Sequence, residues 1–311
     1  MTESEKDMII VRVMGGLGNQ LQQYALYRKY QSMGTQARLD LAWFSRKVQD
    51  SMAAPRRFEL SDFGNLPLEE ASREEVRAML GRTYEEQAGF GEKIKRRLLP
   101  GRMLVFEESE MFHGEILSWD NRYLVGYWAC EAYYADILAS LREEIRFPKG
   151  GDERNRETME EMAGQTAVSI HVRRGDYLDA ENAAVFGGIC TEAYYDAAIR
   201  YIKERCSGAV FYVFSDDAAY ARTHYRGAEY RIVDWNRGAD SFYDMQLMSC
   251  CKHNICANST FSFWGARLNG AADKIMIRPS IHKNTQVCVP EQMKKLWAGW
   301  TLVTPEGECY T

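Results

Sequence analysis

VSIHVRRGDY occupies residues 168–177 and joins an apolar, β-branched run to a charged turn that contains one glycine. The run from Val168 to Val172 predicts a buried strand, because short β-branched segments favour strands over helices. The charged turn from Arg173 to Tyr177 marks the point where that strand reaches the surface. Similar strands alternate with helices through the rest of the chain. This alternation predicts a parallel, doubly wound α/β sheet, since parallel strands need crossover helices.

The remaining elements of the second half follow the same alternation. Further strands are predicted at Ala209 to Phe214, Tyr230 to Val233, Asn254 to Ala257 and Lys274 to Ile277. Helices are predicted after a Thr191 cap, at Ala218 to Tyr225, after a capping box at Ser241 to Asp244, and at Phe261 to Asn269.

The first half opens with a strand, a glycine-rich loop, a helix and a second strand. These are Met8 to Val13, Gly15 to Gln20, Leu21 to Met33 and Ala37 to Leu41. Further elements are predicted at Glu69 to Leu80 and Glu131 to Ile145 as helices, and at Leu104 to Glu107 and Tyr123 to Trp128 as strands. Pro148 to Gly151 break the chain. We therefore expect two lobes, residues 1–148 and 149–311, with the last helix a candidate to pack back on the first lobe.

Composition excludes several classes of protein. The 311 residues carry a net charge of -5, which argues against nucleic-acid binding. No apolar run reaches the roughly 18 residues of a membrane span, and the first residues are polar. We therefore expect a cytoplasmic protein. The basic run Lys93 to Arg97 is either a solvated helix face or a contact with an anionic lipid surface or lipid-linked acceptor at the inner face of the membrane. The eight cysteines lack zinc-site spacing.

Three polar segments follow predicted strands of the second half. They are the charged turn after Val172, Ser215 to Asp217, and Asn258 to Trp264. Ligands of doubly wound sheets bind beyond the carboxyl ends of the strands, so these segments predict one site at one edge.

Two arginines leave the strand beside a glycine. The guanidinium groups of Arg173 and Arg174 can hold a diphosphate by charge-assisted hydrogen bonds. The alternative is that one of them forms a structural ion pair with Asp176 or Asp179. Neighbouring side chains of an extended segment point to opposite faces, so we expect only one to reach the ligand.

The other two segments offer hydroxyl groups and a carboxylate. Asn258 to Ser262 lie where a strand turns into a helix, and hydroxyl groups with free N–H groups at a helix start favour an anion. The alternative is ordinary helix capping. The Asp216 carboxylate suits the N1–H and amino edge of guanine, or a ribose. A turn or cap role for Asp216 or Asp217 fits equally well.

Two common nucleotide-binding motifs are absent from the sequence. There is no GxxxxGK[ST] phosphate loop, and the first turn has Gly16 and Gly18 but then Leu21 where a dinucleotide fingerprint needs a small residue. No Asp-x-Asp pair exists, so we expect no metal and predict that the arginines neutralise the diphosphate.

These segments together resemble the α-1,2-fucosyltransferases of bacteria, glycosyltransferase family 11. The resemblance runs in order through most of the chain. The motifs that carry it are Gly15 to Leu21 with Gln23 to Ala25, Gly126 to Trp128 with Glu131 and Tyr134, His171 to Tyr177, Tyr194 with Tyr195, and Asn258 to Ala266.

The resemblance implies a GT-B fold, an α/β class with two Rossmann-like lobes and a cleft between them. The first lobe would take the acceptor and the second the GDP-sugar. It also implies GDP-L-fucose as donor, no metal, inversion at the anomeric carbon, and a terminal galactoside of a glycan as acceptor.

Individual roles carry over on matching positions. The implied catalytic residues are Arg173, Asp176 and Asn19. The implied donor-binding residues are Gly16, Gly18, His171, Arg174, Asp216, Asn258, Ser259, Thr260, Phe261 and Ser262. The implied acceptor-binding residues are Gln20, Trp128, Glu131 and Tyr177. Arg173 would hold the departing β-phosphate. Asp176 is a candidate base, with the orientation of Arg173 as its alternative role.

Two residues depart from the family pattern. Gln22 stands where Phe is usual, and Phe263 where Trp is common. These changes bear on the acceptor side more than on the donor side. Two other functions stay open at this point: a transferase that uses another GDP-sugar, and a nucleotide-sugar-binding protein without catalysis.

Overall fold

The computed structural model describes residues 8–52, 55–80, 104–107, 111–148, 152–285 and 289–311. It divides into two compact units, Met1–Arg146 and Phe147–Thr311. The boundary predicted after residue 148 lies two residues beyond this division. The basic run Lys93 to Arg97 is outside the described residues.

The first unit is built on a four-stranded parallel sheet. Its strands are β1 Met8–Arg12, β2 Gln36–Asp40, β3 Leu104–Phe106 and β4 Arg122–Val125, in the order β2-β1-β4-β3. Its helices are α1 Leu17–Ser32, α2 Arg46–Gln49, α3 Arg73–Leu80 and α4 Leu138–Glu144. β1 lies at the centre of the sheet, and Ile9, Ile10 and Val11 are fully buried.

Helix α1 is buried on nearly all sides, which explains the irregular spacing of its apolar residues. Its aromatic residues reach the interior because their hydroxyl groups find partners there. Tyr27 donates a hydrogen bond to the carbonyl of Pro67 at 3.1 Å, and Tyr30 donates to that of Ile116 at 2.6 Å. α1 begins at Leu17 rather than at the predicted Leu21.

The prediction of one helix from Glu131 to Ile145 is wrong. The segment forms two 3-10 turns, Glu131–Tyr133 and Ala135–Ile137, before α4 begins. Tyr133 and Tyr134 are adjacent in sequence, yet both are fully buried. Burying both rings requires Tyr134 to leave the helical region, at φ -139°, so tertiary packing overrides the local helix preference.

The second unit contains a seven-stranded sheet. Its strands are β5 Thr166–Val172, β6 Ala209–Ser215, β7 Tyr230–Val233, β8 His253–Ile255, β9 Met276–Pro279, β10 Trp300–Val303 and β11 Cys309–Tyr310. The order is β11-β10-β9-β8-β5-β6-β7, and only the β10–β11 pairing is antiparallel among the described strands. The predicted parallel, doubly wound sheet is confirmed.

Seven described helices cover this sheet. They are α5 Glu153–Ala163, α6 Ala180–Phe186, α7 Glu192–Arg205, α8 Ala218–His224, α9 Phe242–Cys250, α10 Thr260–Leu268 and α11 Pro290–Leu296. Thr191 caps α7 as predicted, accepting the Tyr194 N–H at 3.1 Å. The capping box at Ser241 is wrong, because that residue ends a 3-10 turn and its side chain makes no capping bond. α11 contributes Met293 to an apolar cluster of its own unit.

Both sheets change direction between two neighbouring strands. In the second unit the chain moves outward from β5 through β6 to β7, and then returns to β8 on the other side of β5. In the first unit the chain moves from β1 to the edge strand β2, crosses to the opposite edge strand β3 and returns inward to β4 beside β1. Two Rossmann-like units of this kind make up the GT-B type of α/β fold, so the predicted fold class is confirmed. In the described part of the chain, every helix is too short or too polar to cross a bilayer.

Candidate functional site

The charged turn follows β5 at the direction change of the second sheet. The Asp216 carboxylate holds it at two points. Arg173 Nη1 lies 2.7 Å from Asp216 Oδ2, and the backbone N–H of Arg174 donates to Oδ1 at 2.9 Å. Both charged side chains are about a quarter exposed, so the ion pair lies at the surface of the edge. Arg173 is therefore oriented before any ligand arrives.

Glycine at position 175 is required by this arrangement. A Cβ added to Gly175 would lie 2.7 Å from Asp216 Oδ2, closer than real Cβ contacts allow. Any side chain there would displace the carboxylate that fixes Arg173.

Arg174 has a different environment from that of Arg173. Its Nε lies 3.3 Å from Asp217 Oδ2, and its guanidinium stacks on Tyr220 at 3.9 Å from the ring centroid. Asp217 also caps α8, and the N–H of Tyr220 with Arg174 lowers the pKa of its carboxyl. Each of the two aspartates that follow β6 therefore pairs with one of the arginines. The geometry brings Asp216 to Arg173, and the expected contact of Asp216 with the donor stays a prediction.

Helix α10 begins at the next strand end, and its first turn faces the same edge. Ser259 precedes the helix in extended conformation, and its side chain makes no capping bond. Helix geometry leaves the first backbone N–H groups without carbonyl partners inside the helix. Thr260 and Phe261 are partly exposed, whereas Ser262 is buried and its hydroxyl donates to the Ser259 carbonyl at 3.1 Å. The turn thus presents Ser259 and Thr260 as the accessible hydroxyl groups.

A tyrosine connects the first turn of α10 to the charged turn Arg173 to Tyr177, which is called the arginine loop from here on. The Tyr177 hydroxyl donates to the Asn258 carbonyl at 3.0 Å, and the Arg173 guanidinium lies 5.6 Å from the Tyr177 ring centroid. The Asn258 side chain is buried and donates to the carbonyls of Phe186 and His282 at 3.1 and 3.2 Å. Asn258 therefore holds the turn in place, and its expected contact with the donor is not supported.

His171 lies beneath the same edge. Burial, with a smaller contribution from the charge of Arg173, lowers the pKa of His171 to about 3. Its ring centroid lies 5.9 Å from that of Phe261, and its carbonyl accepts the Tyr195 hydroxyl at 2.9 Å. Such a neutral imidazole is too weakly basic to accept a proton at neutral pH. Asp176 is part of the 3-10 turn Gly175–Leu178, and its side chain is outside the described structure.

The glycine loop follows β1 in the first unit. Gly15 has φ +81°, and a Cβ there would lie 2.7 Å from Nδ2 of Asn19, so only glycine lets Asn19 fold under the loop. Gly16 is partly exposed with open space around it, whereas Gly18 is buried inside α1. Gln20 is fully buried, which does not support its expected contact with an acceptor.

Gln20 instead ties the loop to the chain beyond α2. Its amide donates to the carbonyls of Gly15 and Arg57 at 2.9 and 3.0 Å and accepts the N–H of Glu59 at 2.8 Å. Gln22, where the resembling family has Phe, is also fully buried, and neither of its amide atoms has a hydrogen-bond partner among the described residues.

The predicted acceptor residues after β4 differ in exposure. Trp128 is only 2% exposed and has φ +53°, a conformation that bulky residues rarely adopt. Tyr127, beside it, is 40% exposed. Glu131 is partly exposed in the first 3-10 turn. Among the described residues, no three His, Cys, Asp or Glu side chains are grouped as metal ligands.

The family model for glycosyl transferase family 11 matches residues 108–302, which is more than half of the chain. The chain belongs to glycosyl transferase family 11. The recognition made from the sequence motifs is therefore confirmed, and with it the assignment as a glycosyltransferase. The arginine loop, the α10 turn and the Gly126–Trp128 turn all lie within the matched region, and the glycine loop precedes it.

Three relatives have described activities. An alpha-1,2-colitosyltransferase of Escherichia coli is 29% identical over 287 residues, covering 88% of this chain and 91% of that one. The O-antigen biosynthesis glycosyltransferase WbnK of Escherichia coli is 44% identical over 113 residues, 36% and 37% of the two chains. Galactoside alpha-(1,2)-fucosyltransferase 1 of Ateles belzebuth is 32% identical over 108 residues, 34% and 30% of the two chains.

The sequence did not predict a polar cluster in the second unit of this family 11 protein. Asn155 of α5 accepts the Trp235 indole N–H at 2.8 Å and donates to Asn236 at 2.8 Å, and Asn236 in turn donates to Asp244 at 2.8 Å. Burial raises the pKa of Asp244 to about 7, and the charge of Asp234 adds to the shift. The missed signal was a carboxylate in the first turn of a helix that follows a parallel strand.

Asp244→Asn is expected to stabilise the protein above pH 7. The pKa of Asp244 is higher in the folded chain than its ordinary value of about 3.9. Its stabilising contribution is therefore present in acid and is lost as the pH rises from about 4 to about 7. Asparagine keeps the acceptor for Asn236 without the charge, so we expect a gain of about 1–2 kcal/mol at pH 8, measured by thermal unfolding.

The matched control is Asp240→Asn on the exposed 3-10 turn that precedes α9. This control should leave the pH profile of the melting temperature unchanged. A lower melting temperature for Asp244→Asn at pH 8 would show that its carboxylate is stabilising when ionised.

Proposed function

We propose that this family 11 enzyme transfers L-fucose from GDP-L-fucose to the 2-hydroxyl of a terminal β-galactoside, with inversion and without a metal ion. The observation that carries the proposal is the oriented Arg173 at the direction change of the second sheet. Its guanidinium is fixed by Asp216 at 2.7 Å and lies 5.6 Å from the ring of Tyr177, whose hydroxyl donates to the Asn258 carbonyl just before α10. A cation and a helix start at one edge suit a diphosphate.

Bond changes in the proposed reaction place negative charge at this edge. The acceptor oxygen attacks the anomeric carbon from the face opposite the leaving group. The bond from that carbon to the β-phosphate oxygen breaks, and its electron pair stays on GDP. Arg173 and the N–H groups of α10 neutralise that growing charge without reorganising, because Asp216 and Tyr177 already hold the loop.

The acceptor proton needs a destination. His171 does not serve, because its pKa of about 3 leaves it a poor base at neutral pH. Asp176 remains the predicted base on the strength of its motif. Asn19, which is partly exposed in the first turn of α1, is proposed to position the acceptor hydroxyl.

A second donor has specific support. The relative matched along most of its length is an alpha-1,2-colitosyltransferase, whereas the galactoside fucosyltransferase matches only a third of this chain. GDP-colitose is therefore the alternative donor, bound at the same site and used in an α-1,2 transfer.

A donor and acceptor panel tests the proposal. Purified protein is incubated with GDP-fucose, GDP-colitose or GDP-mannose, with lactose and other β-galactosides as acceptors, and GDP release and product mass are measured. We expect product from GDP-fucose, with linkage to the 2-hydroxyl and inverted configuration by NMR. Product from GDP-colitose alone would shift the assignment to that donor. GDP binding without turnover would indicate a nucleotide-sugar-binding protein.

Addition of EDTA is expected to leave the rate unchanged within about twofold, because a fixed guanidinium replaces the metal as the diphosphate counter-charge. The comparison uses protein previously dialysed against chelator, with and without added Mg²⁺ or Mn²⁺. A rate that requires either ion would overturn the metal-independent mechanism.

A further inference from the structure

A carboxylate outside the predicted site lies at the carboxyl end of an edge strand of the first sheet. Glu107 follows β3 directly, and the turn Gly126 to Trp128 follows the neighbouring strand β4. Gln23 of α1 joins this turn to the glycine loop, because its amide donates to the Gly126 carbonyl at 2.8 Å and accepts the Met14 N–H at 2.9 Å. Three strand ends of the first sheet therefore meet around one turn.

Glycine at position 126 lets two side chains approach each other. A Cβ on Gly126 would overlap the Cβ of Glu107 and would lie 2.9 Å from Oε2 of Glu107 and 3.0 Å from Cε2 of Trp128. The carboxylate and the edge of the indole that carries Nε1 therefore pack against the same Cα. Glu107 Oε2 also accepts the N–H of Tyr127 at 2.7 Å, which fixes the carboxylate on the turn.

Trp128 adopts an energetically unfavourable conformation and environment. Its backbone is in the left-handed region at φ +53°, its side chain is 98% buried, and its indole Nε1 has no hydrogen-bond partner among the described residues. Buried indole N–H groups usually have a partner, and strained backbone conformations concentrate at binding sites. An N–H donor and a carboxylate that pack against the same glycine are together suited to a hydroxyl group.

We propose that Glu107 and Trp128 form a subsite for the acceptor sugar. One sugar hydroxyl accepts the Trp128 N–H and donates to the Glu107 carboxylate, since a hydroxyl is both donor and acceptor. The exposed Tyr127 ring, next to this pair, packs on the apolar face of the sugar. This assignment rests on the proposed function and adds to it Glu107, a residue that the sequence motifs did not indicate.

The test uses Glu107→Gln and Trp128→Phe in the full chain. Glutamine keeps an acceptor for the Tyr127 N–H and removes the charge, whereas phenylalanine keeps the ring and removes Nε1. We expect each to raise the KM for lactose at least about tenfold, with the KM for the GDP-sugar changed less than about twofold. Matched controls are Glu115→Gln, a largely exposed carboxylate, and Trp119→Phe, both in the same unit.

Binding of lactose is also measured without turnover, by saturation-transfer NMR in the presence of GDP. A lactose signal that is present for the wild type and lost in both variants supports the subsite. This holds even if the donor proves to be a sugar nucleotide other than GDP-fucose. Unchanged lactose binding or KM in folded variants overturns it, as does a wild type that binds no β-galactoside. Should one variant fail to fold by circular dichroism, the other carries the test.

Discussion

Arg173→Ala is expected to lower kcat about 10²–10³-fold, the usual cost of losing a donor that stabilises a developing negative charge. The side chain is about a quarter exposed and lies at a strand end, so its removal should leave folding intact. The donor KM should change less than kcat, because charge on the β-phosphate oxygen grows mainly in the transition state. Initial rates over a range of donor and acceptor concentrations, with thermal unfolding on the same samples, check the result.

Arg174→Ala provides the matched control. Arg174 pairs with Asp217, the cap of α8, and stacks on Tyr220 within α8, so its charge is held against that helix. We expect less than about a tenfold change in kcat. Equal losses in the two variants would show that both arginines bind the diphosphate, and an unchanged rate for Arg173→Ala would refute its phosphate role.

Much of the second unit could be predicted from the sequence, for a physical reason. Strands such as β5 and β6 are buried on both faces and are therefore continuous apolar runs that end in polar residues. A parallel sheet brings those ends to one edge. The segments after Val172, Ser215 and Ala257 could therefore be placed together before any coordinates were known.

Elements whose buried faces are polar or aromatic could not be predicted from the sequence. Helix α5 buries Asn155 and Thr158 with Met162, so it has little apolar periodicity to detect. Its Asn155 is buried because Trp235 and Asn236 hydrogen-bond to it from the loop after β7. Such partners are distant in sequence, and local patterns do not specify them.

Side-chain partners across the edge were the hardest part of the site to predict. The arginine loop contains its own acidic residue, Asp176, which made it the natural candidate to orient Arg173. The fold also brings Asp216 to Arg173 from the end of the neighbouring strand β6, a contact that no local pattern indicates. Likewise, Glu107 was predicted as the end of a strand, and only the packing against Gly126 relates it to Trp128.

Asp216→Asn is expected to lower kcat about 10- to 100-fold, although we do not expect Asp216 to touch the donor. The amide can still accept the Arg174 N–H, but its NH₂ group faces the Arg173 guanidinium, and two donors repel each other. Arg173 then loses its fixed orientation and must be ordered during each turnover. The loss should therefore appear in kcat, and Arg173→Ala should add little to it in the double variant, because both changes remove one interaction.

Asp217→Asn separates this effect from general damage to the segment after β6. Asparagine is as good a helix cap as aspartate, so α8 should persist while the ion pair with Arg174 is lost. We expect kcat to stay within about threefold of wild type, since exposed ion pairs contribute little. A faster or tighter-binding Asp216→Asn enzyme would mean that the carboxylate competes with the diphosphate for Arg173. In that case Asp216 would weaken donor binding by pairing with the Arg173 guanidinium that the diphosphate needs. A rise in donor affinity without loss of kcat would identify that role.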